Sequence, residues 1–454
     1  MTQQRVTNRL ETEPIGSLLV GYSFPAIISM VIVSLYNICS SIFIGHGVGA
    51  LGITGLAVTF PFINLALAVC MLVAIGGATV CSIELGAGNP ERAAQVLGHN
   101  VVLSLLFAVG FAALSLAFLD PILRLFGASA DTIGHARDYM RIILWGAPVG
   151  NLMLALSHFL RASGYPKKSM AISLFSVGVN VILTALFIFV FDMGMKGAGY
   201  ATVLSQFFAL IPLYRHFRNP NSAVHFKRGI FRLRREVVKS ILSIGLSPFF
   251  MNCSGCLIVM VINISLYAYG GDLAIGAYGI ANRLLMLFAM TIFGLVQGMQ
   301  PLIGYNFGAK RMDRVRRTLF LGVIAGTGVT SAGFVAAQFF PEILARLFTD
   351  HPDLIAMAAR GMRLCTALFF LVGGQIVISG YFQSMGRASI AIFLALSRQI
   401  LFLLPGLIIL PRYMGLDGVW VSLPIADAVA TLITIFILRR SFRNTPGGAF
   451  GKGA

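Results

Sequence analysis

Three ionisable side chains lie inside long apolar stretches of the sequence. Asp427 and Arg398 each lie about nine or ten residues into such a stretch, and Arg283 is comparably placed in another. A charge in hydrocarbon costs about 2.5–3.5 kcal/mol on insertion scales, so charges that persist there serve a purpose. An acid and a base at similar depth can form an ion pair, and the acid can also bind and release a proton.

These residues support two interpretations, which the sequence leaves open. In the first, Asp427 and Arg398 form an ion pair that only holds neighbouring helices together. In the second, Asp427 is a titrating carboxylate, and its protonation breaks the pair and lets the helices rearrange. Asp427, Arg398 and Arg283 are therefore the candidates for coupling to an ion gradient.

Motifs for covalent chemistry are absent from the sequence. The six cysteines lie in apolar stretches, and the one CxxC spacing, Cys253–Cys256, has no second pair to complete a metal site. The chain has no HExxH pairing, no GxSxG nucleophile elbow and no Walker A sequence for ATP. We therefore expect no enzymatic activity and no cofactor, and the energy for any work would come from a proton or sodium gradient.

The composition is that of a membrane protein. Of the 454 residues, 57% are hydrophobic and 11% are charged, about half the charged fraction of a soluble domain. The net charge of +18 is concentrated, because 24 of the 34 Lys and Arg fall in the termini and in alternate connections on one side. This bias marks the cytoplasmic face. It predicts a multi-pass protein of the inner membrane with both termini in the cytoplasm, and it argues against a nucleic-acid partner.

Twelve apolar stretches are long enough to cross a bilayer, which takes about 20 residues. They predict an all-α polytopic protein. The predicted spans are 18–44, 51–85, 96–119, 139–160, 169–191 and 197–214, followed by 241–267, 274–305, 319–340, 354–381, 390–410 and 418–438.

The two sets of six spans resemble each other. Pro25 is matched by Pro248, and the segment 86–92 is matched by 308–314, in each case about 222 positions later. An even number of spans per half gives both halves the same orientation, related by a pseudo-two-fold axis along the membrane normal, with a substrate path between them. The predicted domains are an N-lobe at 1–217, a basic cytoplasmic linker at 218–239, a C-lobe at 240–441 and a cytoplasmic tail at 442–454.

Other polar and flexible side chains within the spans could line a substrate path, although helix packing explains each of them equally well. Pro25, in the first span, is the predicted hinge, because a proline frees backbone hydrogen-bonding groups and permits bending. The candidate cavity residues are Ser40, Asn37, Asn180, Thr184, Gln297, Gln300, Gln375, Met251 and Met286.

Several segments together resemble the multidrug and toxic compound extrusion (MATE) transporters, in particular their bacterial MepA-like branch. They are Pro25 with the stretch 36–45, the loop 86–92, the stretch 298–310 and the segment 415–420. The resemblance covers about residues 13–440. It implies two six-helix lobes with a drug cavity between them, and export of bulky organic cations driven by proton or sodium entry.

The sequence departs from this family where the family has acids in its first half. Ser40 and Thr184 stand at the two positions where the resemblance leads us to expect Asp, whereas Asn180 is kept. These neutral oxygens do not change charge with pH, and alone they hold Na⁺ weakly. The family's first-half coupling site therefore cannot be carried over to this chain.

The sequence thus predicts a secondary antiporter that exports amphipathic compounds, with a cationic substrate class expected, in exchange for protons or sodium by alternating access. The alternative is a flippase or exporter of lipid-linked or anionic substrates, because the charged residues deep inside the spans are two Arg against one Asp. The expected partners are small amphipathic molecules and the lipid bilayer. A monomer is expected, because two lobes that pack on each other need no partner subunit.

Overall fold

The computed structural model describes residues 10–227 and 229–443, without the side chains of Asn37, Ile38, Ala50 and Ile53. The regular secondary structure of this part of the chain is helical throughout. Most of the predicted tail at 442–454 lies outside the described residues, as does Arg228 of the predicted linker.

The first half contains seven α-helices and one π-helical segment. They are α1 (Ile15–Gly47), α2 (Ala50–Gly86), α3 (Pro90–Ala117), α4 (Leu119–Leu125), α5 (Ile133–Ala162), α6 (Pro166–Ala185), π1 (Leu186–Val190) and α7 (Gly194–Arg218).

The second half contains eight α-helices and a second π-helical segment. They are α8 (Arg235–Gly308), α9 (Met312–Phe339), α10 (Pro341–Arg346), α11 (Pro352–Cys365), α12 (Phe369–Ser384), α13 (Ala388–Leu396), π2 (Ser397–Leu403), α14 (Leu404–Met414) and α15 (Leu416–Arg443).

Helix α8 accounts for two of the predicted spans. Its 74 residues would extend about 110 Å at 1.5 Å per residue, far more than the ~30 Å hydrocarbon core. The helix breaks at Gly271, whose φ of 63° and ψ of −162° are not helical. Glycine suits this position because it has no Cβ to clash at positive φ. The predicted spans 241–267 and 274–305 lie on either side of this break.

The described helices otherwise follow the predicted spans closely. Nine of them are long and apolar enough to cross a membrane, and ten are if α11 and α12, bent by 53°, count as one broken span. The second crossing of α8 and the more polar α7 complete the twelve predicted spans within the described residues. The prediction missed the bend between α11 and α12, which falls inside the predicted span 354–381.

Contacts within the chain define two compact units. Unit 1 comprises Met1–Cys253, Gln297–Thr318 and Gln383–Ala388, and unit 2 comprises Ser254–Val296, Leu319–Phe382 and Ser389–Ala454. Unit 1 thus contains the predicted N-lobe and, in addition, both ends of α8. The lobe boundaries at 217 and 240 stay a prediction about the sequence halves.

Glycines in unit 1 let α2 approach the two ends of α8 at backbone distance. A Cβ on Gly245 would lie 1.6 Å from the carbonyl oxygen of Leu72, and one on Gly308 would lie 2.0 Å from that of Ile83. No larger residue fits at either position without displacing a helix. The two halves of the sequence are therefore tightly packed inside unit 1 along α2.

Unit 2 has its core around Trp420 of α15, which is 1% exposed. The Trp420 ring lies 6.0 Å from the ring of Tyr278, and Gly361 packs directly beneath it. This core fixes α15 against α8 and α11, and it thereby positions the residues one or two turns further along α15.

Candidate functional site

An ion pair joins α15 to the π2 segment within unit 2. Arg398 Nε donates a hydrogen bond of 2.6 Å to Asp427 Oδ1. The Asp427 side chain is 5% exposed and that of Arg398 is 27% exposed. The carboxylate is thus enclosed by protein, and the guanidinium is accessible from one side.

The π2 segment sets the position of Arg398. π-Helical turns insert an extra residue into a helix and are frequent at functional sites. The next residue, Gln399, accepts a hydrogen bond from Ser254 Oγ of α8. The π2 segment is therefore held on two sides, by α15 through Arg398 and by α8 through Gln399.

The Arg398–Asp427 pair can bind a proton. A carboxylate can take up one proton, and its bond to Arg398 is then weakened because the attraction between opposite charges is lost. A cation cage needs several oxygen ligands, whereas Asp427 faces a guanidinium. Among the described residues, no three His, Cys, Asp or Glu side chains are grouped to hold a metal ion.

Arg283 lies apart from this pair. Its side chain is exposed, and its guanidinium stands 5.9 Å from the ring centroid of Phe348 in a cation–π contact. The structure therefore brings together two of the three charged candidates, Asp427 and Arg398.

A neutral hydrogen-bond network occupies α6 and α7 in unit 1. Asn180 Nδ2 donates to Ser205 Oγ at 3.1 Å and to Thr202 Oγ1 at 3.4 Å, and Asn180 Oδ1 accepts from Thr184 Oγ1 at 2.9 Å. The Tyr36 hydroxyl of α1 lies 3.4 Å from Thr202 Oγ1. Asn180, Thr184 and Ser205 are buried. The structure thus brings the candidates Asn180 and Thr184 together.

This network is satisfied without a charge. Both amide hydrogens of Asn180 have acceptors, and its oxygen has a donor, so the amide lacks no partner. Ser40 is half-buried and has no hydrogen bond to another described residue. The side chain of Asn37 lies outside the described residues. The network binds helices together, and it contains no group that titrates near neutral pH.

The internal repeat relates the two sites. Ser176 Oγ donates to the Ser205 carbonyl oxygen at 3.4 Å, and these residues are 29 positions apart in the sequence. Arg398 and Asp427 are also 29 positions apart, and each follows its first-half counterpart by 222 positions. That offset is the one that the sequence repeat predicts. The ion pair therefore stands where the first half has two serines.

The remaining polar candidates occupy different surroundings. Gln297 accepts a 2.6 Å hydrogen bond from Arg161, and Gln300 donates to Thr79 Oγ1 at 2.6 Å. Gln375 is 4% exposed, and its Oε1 has no hydrogen-bond partner among the described residues. Of the flexible candidates, Met251 is half-buried and Met286 is 45% exposed.

Pro25 lies within α1, which continues through it. The Ser29 hydroxyl donates to the Pro25 carbonyl oxygen at 2.9 Å, and Asn252 makes the matching bond of 2.8 Å to Pro248 in the second half. Each side chain thus bonds to the carbonyl of a proline one turn earlier, a pattern that often bends helices.

Sequence reasoning missed several residues of these sites. Thr202 and Ser205 are ordinary small polar residues of a span, although the 222-residue offset from Asp427 would have identified Ser205. The predicted span 139–160 leaves Arg161 in a connection, whereas α5 continues to Ala162 and the Arg161 side chain is buried. The signal that was available is Gly164, a typical residue just after a helix end.

An ion pair outside the predicted spans 96–119 and 139–160 provides a reference for the buried one. Arg137 donates two hydrogen bonds to the Asp120 carboxylate of α4, at 2.8 and 2.5 Å. The hydrogen bond from Arg137 lowers the pKa of Asp120 below its usual value. Both side chains are substantially exposed, 33% for Arg137 and 42% for Asp120.

Comparison with known proteins agrees with this architecture. The MatE family profile matches residues 25–186 and 248–408, one match in each half. The multidrug export proteins MepA of Staphylococcus haemolyticus (strain JCSC1435) and Staphylococcus aureus (strain MSSA476) are each 28% identical to this chain. The alignments cover 96% and 94% of this chain and 95% of each relative.

Solved structures give the same result. The MATE multidrug transporter DinF-BH, in complex with rhodamine 6G, is 35% identical with a TM-score of 0.88, over 94% of this chain and 96% of that one. An outward-facing multidrug resistance MATE family transporter of the MOP superfamily shares the fold at 23% identity, with a TM-score of 0.90 over 96% and 97% of the two chains. These matches confirm the predicted all-α, twelve-helix fold class, and the relatives are transporters rather than enzymes. The chain is a multi-pass membrane protein that belongs to the MatE family of transporters.

Proposed function

We propose that this chain is a proton-coupled antiporter that exports amphipathic organic compounds, with organic cations as the main substrate class. The observation that carries the proposal is the Arg398–Asp427 pair, a carboxylate enclosed within the spans that has one basic partner among the described residues. The relatives support the substrate class, because two are multidrug export proteins and DinF-BH was solved with rhodamine 6G.

The proton is the proposed coupling ion for a chemical reason. Sodium needs several oxygen ligands, whereas a single carboxylate bonded to a guanidinium offers few. The first-half network cannot substitute, because its donors and acceptors satisfy one another without charge. A proton needs only one free lone pair of the Asp427 carboxylate.

Protonation at Asp427 would change the packing of unit 2. The neutral acid attracts Arg398 less, so α15 and the π2 segment lose the charge-assisted bond between them. Arg398 is already 27% exposed and can turn away from the carboxylate. The helices then favour a second arrangement, and the free energy of proton binding is coupled to that of substrate release.

Alternating access requires the packed end of unit 1 to separate. The Tyr305 hydroxyl donates to Glu11 Oε1 at 2.9 Å, and Arg314 donates to the carbonyl oxygens of Leu10 and Glu13 at 3.0 and 2.7 Å. These contacts join the start of the first half to the end of α8 and the start of α9. We place them at the cytoplasmic face of the inner membrane, with both termini inside, in a protein that acts as a monomer and needs no cofactor.

Transport into proteoliposomes tests the proposal. The reconstituted chain is given rhodamine 6G, and a proton gradient and a sodium gradient are imposed separately. We expect a proton gradient to drive dye movement and a sodium gradient at uniform pH to leave it at the level of protein-free vesicles. Movement that follows sodium alone, or that ignores both gradients, would contradict the coupling.

A further inference from the structure

Arg161 is a buried cation without an anionic partner among the described residues. Its side chain lies near the end of α5 with 7% of the residue exposed. Its one hydrogen bond to a described residue runs from Nη1 to the neutral amide oxygen Gln297 Oε1, at 2.6 Å. It forms no ion pair with any carboxylate in the described part of the chain.

Such an arrangement is costly unless another group completes it. A guanidinium has five N–H donors, and one of them is used here. Buried charges in proteins are normally paired, because a neutral dipole offsets only part of the lost hydration. Arg398 in the second half has its carboxylate, whereas Arg161 in the first half has a glutamine.

The described surroundings of Arg161 include a buried imidazole and an apolar thioether. His158, one helical turn earlier, is 2% exposed, and its Nε2 has no partner among the described residues. Gln297 Nε2 lies 3.7 Å from Met30 Sδ of α1. A methionine is a soft, adaptable surface for apolar ligands. A guanidinium beside a thioether complements a ligand that has an acidic group on an apolar body.

From this we infer that Arg161 binds the carboxylate of zwitterionic amphipathic substrates, and that Gln297 occupies the guanidinium when no substrate is bound. This inference rests on the proposed export function and extends its substrate class beyond simple cations. A carboxylate can accept two parallel hydrogen bonds from Arg161, which one amide oxygen cannot.

The position of the pair gives the order of events. Gln297 belongs to the end of α8 that packs on α2, and Arg161 belongs to α5, near the end that we propose faces the cytoplasm. When α8 moves away, Gln297 leaves with it and the guanidinium donors become open to a substrate entering from that side. When α8 returns without a substrate, Gln297 restores the bond.

A purely structural clamp is the competing explanation, and a matched pair of dyes separates the two. Rhodamine 6G is an ethyl ester with a fixed positive charge. Hydrolysis of the ester gives a free acid with the same ring system and an added carboxylate. Binding of both dyes to purified protein is measured by fluorescence polarisation, and export of both by reconstituted vesicles.

Three variants address the carboxylate contact. Arg161→Gln removes the cation, Arg161→Lys keeps the charge without the planar fork, and Gln297→Glu supplies an internal carboxylate at the position of Oε1. We expect Arg161→Gln and Gln297→Glu each to weaken binding of the acid dye about tenfold, with the ester changed by less than about twofold. Arg161→Lys should fall between the wild type and Arg161→Gln.

The outcomes distinguish this inference from the proposed function. Equal loss of both dyes in Arg161→Gln, or unchanged binding of the acid dye in all three variants, would overturn the inference while export of the ester still supports the function. Failure of the wild type to export the ester would count against the function, and selective binding of the acid through Arg161 would still support the inference. Thermal unfolding of each purified variant shows whether it is folded. If Arg161→Gln does not fold, Gln297→Glu still tests the inference, because it keeps Arg161.

Discussion

The Ser176–Ser205 and Arg398–Asp427 pairs occupy repeat-equivalent positions and differ in charge. Both pairs have the same sequence spacing and join the fifth to the sixth span of their half. The first half fills the position with hydroxyls inside a neutral network, and the second fills it with an acid and a base. One backbone arrangement thus serves as plain packing in one half and as a site that can titrate in the other.

The local backbone also differs between the neutral pair and the charged pair. In the second half the π2 segment begins one residue before Arg398, whereas in the first half π1 begins ten residues after Ser176. An irregular turn at the charged residue allows it to shift without breaking a long helix. Under the proposed mechanism, we expect movement in the second half to be centred on the ion pair.

The largest expected effect comes from removing the acid of the second half. The matched change in the first half serves as the control. Asp427→Asn should reduce proton-driven export of rhodamine 6G to less than about a tenth, because the side chain can no longer gain or lose a proton. Ser205→Asn, 222 positions earlier, is the matched control and should keep the response to the proton gradient. Export from proteoliposomes is measured for both variants. Normal proton-driven export by Asp427→Asn would contradict the assignment of coupling to the second half.

Removing the base alone should be next in size. Arg398→Met leaves the Asp427 carboxylate enclosed and unpaired. We expect a loss of about 2 kcal/mol in stability, below the ~3–5 kcal/mol of a fully buried pair because Arg398 is partly exposed. The double variant with Asp427→Leu should recover most of that loss. Thermal unfolding in detergent measures this, and a double variant less stable than Arg398→Met would contradict the account.

The neutral network should affect stability more than coupling. Asn180→Ala removes the amide that joins Thr184, Thr202 and Ser205 and leaves buried hydroxyls with fewer partners. The expected cost is about 1–3 kcal/mol. Export should keep its dependence on the proton gradient, although the amount of folded protein falls. Loss of proton dependence at normal stability would instead place the first half in the coupling step.

The exposed reference pair should have the smallest effect. Because the hydrogen bond from Arg137 lowers the pKa of Asp120, this pair stabilises the protein above the usual pKa of an aspartate. That contribution is lost as the pH falls through the lowered value. Asp120→Asn should therefore change the Tm by no more than about 1–2 °C at neutral pH. It should also make the Tm less sensitive to pH on the acid side, which a pH series of unfolding curves would detect.

Much of the fold could be predicted from the sequence, because a span needs an uninterrupted apolar length and basic residues mark its cytoplasmic end. The twelve stretches and the offset of about 222 residues both correspond to features of the structure. Gly271 and the bend between α11 and α12 could not be found in this way, because an apolar run looks the same whether its helix is straight or broken. The partnership of Asp427 with Arg398 could be anticipated from their depths, whereas the burial of Arg161 depends on a helix end that composition locates only to within a few residues.

The most direct test of the central claim is the release of protons when substrate binds. Purified protein in weakly buffered detergent solution, with a pH indicator, is titrated with rhodamine 6G near the pH at which export is half-maximal. If Asp427 is the coupling acid, the wild type should release up to about one proton per bound dye, because the two bind in exchange. Asp427→Asn should bind the dye and release none. Equal release by Asp427→Asn and the wild type would show that the coupling proton is held elsewhere.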